Sequence, residues 1–419
     1  MQREYDFQVS LPSLRLSTCA ISIVLTLVLV MAQASFAQTY QVIYNFSGGA
    51  DGATPTSGVT IDAAGNFYGT TSAGGSHGLG VVYKLLHRSS GWILTPLYSF
   101  QGVPDGSNPA ARVVFGPDGA LYGTTSSGGT GGGNGTVFRL TPPATFCAVV
   151  FCSWSERVLY SFTGFPSDGI NPQAEVVFDR SGNLYGTTVA GGTNQGGIAY
   201  EITAAGLEST VHNFSGDLEG AMPYAPLTLD ADGHLYGTAS EQPRFGLVYE
   251  LARLGTGWIG IGLFNFYSED VGSTPLGGLI FDPQGNLYGT ASDGGPNGGG
   301  VIFELEPSQD GWTYHDLYDL PGTDQGPNST LLRDASGDLY GTTTDNFYNF
   351  GEVFKLSFSG GVWTYTILHT FTGGSDGGLP YGPLVMDTHG NLYGTAGAGG
   401  GNPAACRGQG CGVIFEITP

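Results

Sequence analysis

Gly182-Asn-Leu-Tyr-Gly-Thr-Thr188 is a heptapeptide that the chain contains in seven closely similar copies. Successive copies start 54, 63, 51, 52, 52 and 53 residues apart, and the other six begin at Gly65, Gly119, Gly233, Gly285, Gly337 and Gly390. Self-similarity at a period near 50 residues is typical of β-propellers and solenoids. The repeat therefore predicts one large all-β body rather than several unrelated domains.

The heptapeptide has the composition of a β-hairpin. An aspartate such as Asp179 lies three residues before the first glycine in six copies, and Gly116 takes that place in the second copy. Asp-x-x-Gly favours a tight turn in which the carboxylate caps the backbone and the glycine adopts a positive φ. The flanking Val, Ile, Leu and Tyr are typical of strands. The strand glycine, kept in every copy, indicates that a ring or a backbone segment packs against it.

Each repeat contains four strand-like segments. The third is an apolar run after a glycine, as in Val301-Ile-Phe-Glu-Leu305, and the fourth often begins at a tryptophan, as at Trp312. A turn with the pattern Asp-Gly-x-x-Pro then leads to the next repeat, as between Asp168 and Pro172. We expect these turns and the glycine-rich loops after the second strands to open on the same face of the molecule.

The order of the segments predicts that the repeats close into a ring. A fourth-type strand, Tyr40-Gln-Val-Ile-Tyr-Asn-Phe46, precedes the first repeat, and the chain ends after the third-type strand Val413-Ile-Phe-Glu-Ile417. The N-terminal strand would complete the last blade and leave no open sheet edge at the seam. This order predicts an all-β, seven-bladed β-propeller. An open solenoid, the alternative, gives no reason for the offset.

Residues 1–37 have the pattern of a signal peptide. Arg15 precedes an apolar run from Cys19 to Met31, and cleavage before Gln38 would leave small residues at positions −3 and −1. The run is short for a membrane span, although an uncleaved anchor is the alternative. No second hydrophobic segment follows. We expect residues 38–419 to form the propeller of a secreted, periplasmic or cell-surface protein without a membrane span.

The composition limits the partners that this surface can bind. The chain has 13 Lys and Arg residues against 35 Asp and Glu residues, for a formal net charge of −22. Such a surface repels nucleic acid and acidic polysaccharide, because binding a polyanion requires a cationic footprint. Solubility outside the cell is the plain interpretation of this charge. We expect a monomer whose partner is an extracellular protein or a neutral glycan.

Four cysteines follow the signal segment, in two local pairs. These pairs are Cys147 with Cys152 and Cys406 with Cys411. In an exported protein this pattern predicts two small disulfide loops. Free thiols are one alternative. Zinc is the other, but it requires a compact four-ligand cluster, and the blade order places the two pairs on opposite faces.

The heptapeptide, followed by a strand of the type Gly-Val-Val-Phe-x-Leu, resembles the Gloeobacter/Verrucomicrobia (GloVer) tandem repeat of exported bacterial proteins. The resemblance covers nearly all of residues 40–419. The Asp-x-x-Gly-x-Leu-Tyr hairpin is also similar to the blades of NHL-type and two-component-regulator propellers. Members of the GloVer family often carry a C-terminal anchor, which this sequence does not show. The resemblance implies an exported propeller with no established activity, so it assigns no catalytic residue.

Two sets of residues are candidates for binding. Acidic side chains in the turns could surround the mouth of the channel, where oxygen-only ligands would suit Ca²⁺: Asp51, Asp105, Asp168 and Asp376. The alternative is that each aspartate caps its own turn. The second set comes from two loops that replace the glycine pattern with charged and aromatic residues suited to a sugar ring: Glu241, Arg244, Asp345, Asn346 and Tyr348. Ordinary sequence drift of these loops is the alternative there.

No pattern in the sequence assigns a reaction. The chain has no Gly-x-Ser-x-Gly and no His-Glu-x-x-His, and its glycine-rich runs precede strands rather than helices. We expect a non-catalytic exported propeller that binds protein or neutral glycan. The alternative is a hydrolase or lyase that acts on an extracellular carbohydrate, with Glu241 or Asp345 as the acid–base group and Ca²⁺ in support. Such an enzyme requires a carboxylate with a raised pKa or a metal-activated water.

Overall fold

The computed structural model describes residues 38–143, 154–216, 220–241, 245–322, 326–344, 350–402 and 404–418. Over these ranges the protein is a seven-bladed β-propeller, as the repeat predicted. Each of seven sheets contains four antiparallel main strands, and each sheet corresponds to one repeat. Blades are numbered here in the order of the repeats.

The first and second strands of each blade form the predicted hairpin. The first strands are short: Val59–Ile61, Val114–Phe115, Val177–Phe178, Thr228–Leu229, Ile280–Phe281, Leu332–Arg333 and Val385–Met386. The second strands carry the Leu-Tyr-Gly-Thr core of the heptapeptide and are almost fully buried: Phe67–Thr71, Leu121–Thr125, Leu184–Thr188, Leu235–Ala239, Leu287–Ala291, Leu339–Thr344 and Leu392–Ala396.

The third and fourth strands lie farther out in each sheet. The third strands are Val81–Arg88, Thr136–Thr141, Ile198–Ile202, Leu247–Leu254, Gly298–Ser308, Glu352–Ser359 and Val413–Thr418. The fourth strands are Gly91–Ser99, Ser155–Ser161, Glu208–Asn213, Gly257–Asn265, Gly311–Pro321, Val362–Thr370 and, in the last blade, Thr39–Asn45. Short additional strands occur at Gly169–Ile170, Ala190–Gly191 and Gly326–Pro327, and two 3-10 turns at Glu269–Val271 and Cys406–Gly408.

The two ends of the chain meet in the seventh blade. Thr39–Asn45 pairs antiparallel with Val413–Thr418, with Thr39 opposite Thr418 and Asn45 opposite Val413. The strand order in this sheet is N-terminal strand, third, second and first strand. The predicted closure of the ring by the N-terminal strand is therefore confirmed.

The aspartates of the hairpins cap their own turns, as the sequence predicted. Asp179 Oδ1 accepts hydrogen bonds from the backbone N–H groups of Ser181 at 2.8 Å and Asn183 at 2.9 Å, and its Oδ2 accepts one from Tyr185 Oη at 3.2 Å. Partial burial opposes ionisation, but these hydrogen bonds hold the pKa of Asp179 below its ordinary value. The glycine that follows, Gly182, has a φ of +82°.

An aromatic ring occupies the space beside each strand glycine. A Cβ atom placed on Gly186 would lie 2.4 Å from Tyr200 Oη, so no larger residue fits there. The same contact recurs in all seven blades, always between the second and third strands: Gly69 with Tyr83, Gly123 with Phe138, Gly186 with Tyr200, Gly237 with Tyr249, Gly289 with Phe303, Gly341 with Phe354 and Gly394 with Phe415. The inference that a ring packs on this glycine is confirmed.

Threonine hydroxyls of the second strands join neighbouring blades. Thr238 Oγ1, for example, donates to the carbonyl oxygen of Gly277 in the next repeat at 3.1 Å. Equivalent hydrogen bonds connect each of the first six blades to the next one, and their donors are Thr70, Thr124, Thr187, Thr238, Thr290 and Thr342. At the closing seam Thr395 Oγ1 accepts a hydrogen bond from the backbone N–H of Gly58 at 3.0 Å. These buried bonds fix the first strands, which border the channel, relative to one another.

One of the two predicted disulfides lies within the described residues. Cys406 and Cys411 are bonded, and a Cβ atom on Gly48 would lie 2.7 Å from Cys406 Sγ. The bond therefore packs against the turn that follows the N-terminal strand. Cys147 and Cys152 lie outside the described residues, as does the predicted signal segment 1–37. Within the described ranges, no helix has the length and apolar character needed to cross a membrane.

Candidate functional site

The residue that follows the linking proline is half-exposed in every repeat. Its two neighbours, the proline and the next residue, are buried in all seven repeats. Six of these residues line one cavity at the end of the central channel: Thr56, Ala110, Gln173, Tyr224, Leu276 and Tyr381. Asn328 takes the equivalent position in the sixth repeat. We call this set the mouth ring.

The backbone before each proline holds the mouth ring in place. Met222, which precedes Pro223, has a φ of +56°, and five further non-glycine residues at this position are also left-handed: Thr54, Asn108, Asn171, Thr274 and Leu379. The Met222 N–H donates to Gly196 O of the preceding blade at 2.8 Å, and its carbonyl accepts from Ser240 Oγ at 3.1 Å. Left-handed backbone at non-glycine residues is strained, and it clusters at functional sites where the surrounding structure fixes it.

The mouth ring opens onto a cavity of about 840 Å³. The cavity is lined by Thr56, Ala110, Gln173, Tyr224, Ser240, Glu241, Thr274, Leu276 and Tyr381. Burial raises the pKa of Tyr381, so its phenol remains a neutral hydrogen-bonding group. A concave site with aromatic and apolar walls and a few polar groups is the usual form of a small-ligand site.

An ion pair lies in the next layer of the channel. Arg112 and Glu175 follow their prolines by three residues, in the second and third repeats, and both line a smaller cavity of about 100 Å³ that shares mouth-ring residues. The guanidinium contacts both carboxylate oxygens, with Nη2 to Oε1 at 3.1 Å and a second contact from Nε to Oε2. Burial opposes the charge of Arg112, but Glu175 holds the arginine pKa above its ordinary value. The pair therefore neutralises itself.

The sequence repeat that forms the blades of this propeller also occurs in other proteins. A sequence model of the Gloeobacter/Verrucomicrobia repeat matches residues 30–241, 149–326 and 242–419. The chain belongs to this repeat family. The resemblance seen in the heptapeptide is thus confirmed over the full propeller. No curated protein matches the chain.

Several solved structures share the fold at low sequence identity. The extracellular domain of a protein described as a one-component system of B. thetaiotaomicron aligns with a TM-score of 0.54 and 11% identity, over 90% of this chain and 39% of that chain. PorZ, described as a surface component of the type-IX secretion system of Porphyromonas gingivalis, aligns with a TM-score of 0.50 and 13% identity, over 86% and 46%. A protein named as a 6-phosphogluconolactonase of Bacteroides uniformis aligns with a TM-score of 0.52 and 14% identity, over 79% and 88%.

These likenesses establish the fold and leave the ligand open. The chain spans about two fifths of the first of these structures, which is a longer protein. At 11–14% identity the alignments transfer no binding or catalytic residue. Any function must therefore be argued from the site itself.

The turn aspartates predicted as calcium ligands bind their own turns. Asp168 Oδ2 accepts hydrogen bonds from Thr163 N at 2.6 Å and Tyr160 Oη at 2.9 Å. The other three make the same kind of contact, always with residues a few positions earlier in the chain: Asp51, Asp105 and Asp376. No group of three or more His, Cys, Asp or Glu residues within the described ranges is arranged to hold a metal ion. Calcium binding stays a prediction.

The second predicted set is only partly described. Glu241 lines the cavity at the mouth, and its backbone pairs with Ala221, whose N–H donates to Glu241 O at 2.7 Å. Four residues lie outside the described ranges, namely Arg244, Asp345, Asn346 and Tyr348. The structure therefore brings Glu241 together with the mouth ring, and the other four positions stay a prediction.

The mouth ring itself was missed from the sequence, although a signal for it exists. The linking prolines were recognised as turn residues, whereas the position after them is Thr, Ala, Gln, Tyr, Leu, Asn or Tyr in successive repeats. Comparison of the seven repeats with one another shows a variable residue between a constant proline and a small residue, which is Ser, Ala or Gly in every repeat. Such a position is where a repeat protein can acquire a ligand without altering its blades.

Proposed function

We propose that this protein is an exported binding propeller whose channel mouth holds a neutral oligosaccharide. The observation that carries the proposal is the mouth ring, which places Gln173, Tyr224 and Tyr381 on a common cavity of about 840 Å³. The strained links beneath these side chains are anchored on both sides by backbone hydrogen bonds. A site fixed in this way requires little ordering when a ligand binds.

The chemistry of the ring suits a sugar. Tyrosine rings offer an apolar face to the C–H side of a pyranose and a hydroxyl to its rim. The amide of Gln173, the hydroxyl of Thr56 and the carboxylate of Glu241 supply donors and acceptors for sugar hydroxyls. The cation of Arg112 is already neutralised by Glu175. A neutral ligand therefore fits this end of the channel better than an anion.

Binding is favoured over hydrolysis by the carboxylates at the site. Glycoside hydrolysis ordinarily uses two carboxyl groups that flank the bond to be cleaved. Of the described residues that line the larger cavity, Glu241 alone carries a carboxylate, and Glu175 in the next layer is bound by Arg112. We therefore assign Glu241 the role of a hydrogen-bond acceptor for the sugar.

Export of the protein is supported by two separate features. Residues 1–37 have the composition of a signal peptide, and two proteins of similar fold are an extracellular domain and a bacterial surface component. We propose that the mature propeller acts outside the cytoplasm as a monomer. A sugar-binding role is compatible with that location.

The experiment begins with residues 38–419 on an array of neutral oligosaccharides. Calorimetry with the oligosaccharide that binds best then compares the parent with Tyr224→Ala and Tyr381→Ala. Each variant should bind at least about tenfold more weakly, the loss expected for one aromatic contact in a pocket. Tyr267→Ala is the matched control, because Tyr267 is 71% exposed and lines neither cavity of the channel. Its affinity should equal that of the parent.

Two results would contradict the proposal. One is unchanged affinity in both mouth-ring variants with the fold intact, which would place the sugar elsewhere. The other is an array without any bound neutral glycan, together with capture of an extracellular protein that is lost in Tyr381→Ala. That outcome would keep the site and make its ligand a protein.

A further inference from the structure

Two arginines face each other across the outer strands of the second blade. Arg139 in the third strand is directly opposite Arg157 in the fourth strand. Like charges at such a pair are destabilising, because the side chains are only about 5 Å apart at their Cβ atoms. Within the described residues no carboxylate pairs with Arg157. Asp118 pairs with Arg139, so only one of the two like charges is neutralised.

The other six blades show that the fold does not require this pair. Each has a charged residue at the position of Arg139, but the residue opposite is uncharged or a histidine: Thr95, Ser209, Ile261, His315, Thr366 and Gln41. The second blade thus carries an unfavourable arrangement that its six relatives avoid. Local strain of this kind is commonly retained at binding sites.

Both arginines line a groove on the face opposite the mouth ring. The groove has a volume of about 410 Å³ and lies between the second and third blades, where Tyr122, Phe178, Ser181 and Ile202 form its other walls. Asp118 at one end is already bound, by Arg139 Nε at 2.9 Å and Tyr122 Oη at 3.0 Å. Among the described residues that line the groove, Arg157 is therefore the cation without a carboxylate partner.

We propose that this groove binds a uronic acid, with its carboxylate between Arg157 and Arg139. A guanidinium fork matches a carboxylate in shape and donates two parallel hydrogen bonds. The rings of Tyr122 and Phe178 and the side chain of Ile202 give the groove apolar surface against which the body of a sugar can lie. A groove of this volume falls within the range of small-ligand sites.

The size of the ligand follows from the charge around the groove. The whole chain has a net charge of −22, which repels a long polyanion before it reaches the surface. A single carboxylate has much less repulsion to overcome, and it relieves the repulsion between the two arginines. The groove is therefore assigned to a free uronic acid or to the terminal uronate of a chain. This site is independent of the neutral-glycan site in the channel mouth.

Calorimetric titration of residues 38–419 with D-galacturonate and with D-galactose tests the assignment. The two sugars differ only at C6, which is a carboxylate in galacturonate and a hydroxymethyl group in galactose, so galacturonate should bind and galactose should not. Added NaCl should weaken the binding. Arg157→Thr introduces the residue that the first and sixth blades carry, so the fold should be kept and the free energy of unfolding should not fall. Its affinity for galacturonate should fall at least about tenfold.

Two control variants separate this site from other effects. Arg88→Gln removes an exposed cation from the first blade, and Tyr381→Ala alters the channel mouth; both should bind galacturonate like the parent. The proposal is overturned if galacturonate does not bind, or if galactose binds equally well. It is also overturned if Arg157→Thr keeps the parent affinity, or if Arg88→Gln loses as much affinity as Arg157→Thr. A loss in Tyr381→Ala alone would place the acid in the channel.

Discussion

The ring of Pro55, in the first repeat, packs against the α-carbon of Gly412, in the last. A Cβ atom on Gly412 would lie 2.4 Å from Pro55 Cδ, and Gly412 has a φ of +91°. The same glycine–proline contact joins every pair of neighbouring blades: Gly80 with Pro109, Gly135 with Pro172, Gly197 with Pro223, Gly246 with Pro275, Gly300 with Pro327 and Gly351 with Pro380. The proline of each linking turn therefore packs on the glycine at the start of the preceding blade's third strand.

Substitution of Gly412 should weaken the closing seam. Gly412→Ala forces a methyl group against the Pro55 ring and the Ala396 carbonyl oxygen, at a backbone angle that alanine rarely adopts. We therefore expect a loss of about 2–4 kcal/mol in the free energy of unfolding. Gly390→Ala is the matched control, since Gly390 has a φ of +88° and a Cβ atom there would have no neighbouring atom within 4 Å. Urea unfolding of both variants separates the contact from the backbone strain. Equal losses would show that the proline contact contributes nothing.

Removal of the N-terminal strand should open the seventh blade. A protein that starts at residue 48 lacks Thr39–Asn45 and exposes the edge of Val413–Thr418. Unpaired edges promote association, so this variant should melt at a lower temperature and form oligomers in light scattering. The control starts at residue 38 and keeps the strand. A truncated protein that melts like the control and stays monomeric would contradict the closure.

Much of this architecture could be predicted from the sequence because it depends on local patterns. The Asp179 cap involves residues within six positions of one another, and the Gly186 contact lies between strands that are adjacent in the chain. The ring closure followed from counting strands. The aspartate recurs in six copies of the repeat and the strand glycine in all seven, so each pattern is supported by several copies.

The sites could not be predicted in the same way, because they combine residues from distant repeats. Tyr224 and Tyr381 meet at one cavity only because the blades close into a circle. The opposition of Arg139 and Arg157 depends on the register of the third and fourth strands, which is unbroken from Phe138 opposite Val158 to Thr141 opposite Ser155. A shift of one residue changes which side chains face each other, and nothing in the local sequence marks it.

The stability of the protein should increase in mild acid. Burial and the nearby Asp105 raise the pKa of Glu156 to about 7, and burial with Asp168 raises that of Glu208 to about 7. In an unfolded chain the pKa of glutamate is about 4.3. Between about pH 4.3 and pH 7 the two glutamates therefore stay protonated in the folded protein and are ionised in the unfolded chain. The free energy of unfolding should therefore rise as the pH falls from about 8 to about 5.

Urea unfolding at these two pH values measures the gain. We expect on the order of 1 kcal/mol from each glutamate, after allowance for its partial exposure. Glu156→Gln and Glu208→Gln should each reduce the gain. Below about pH 4 stability should fall again, because the hydrogen bonds that lower the pKa of Asp62 and Asp387, against partial burial, are lost on protonation. A parent protein that is equally stable at pH 5 and pH 8 would contradict this assignment.

The Cys406–Cys411 disulfide should contribute modestly to stability. The two cysteines are five residues apart, so the loop that they close is short and the gain should be below about 3 kcal/mol. Cys411 is buried, and its carbonyl accepts a hydrogen bond from Thr54 N at 2.9 Å across the seam. Replacement of both cysteines by alanine should lower the melting temperature by a few degrees. Alkylation without reduction, followed by mass spectrometry, also tests Cys147 and Cys152; labelling of all four would exclude both predicted disulfides.

The ion pair between Arg112 and Glu175 should couple the second and third blades. Their side chains are 25% and 14% exposed, so the charges are partly shielded from solvent and a lone Arg112 would keep its desolvation cost without a partner. Glu175→Gln and Arg112→Gln should each destabilise the protein, and the double variant should lose less than the sum of the two. Urea unfolding of the four proteins gives the coupling energy, which we expect to be about 0.5–3 kcal/mol. Losses that simply add would show that the two charges act independently, and the channel layer beneath the mouth ring would then owe its rigidity to the backbone alone.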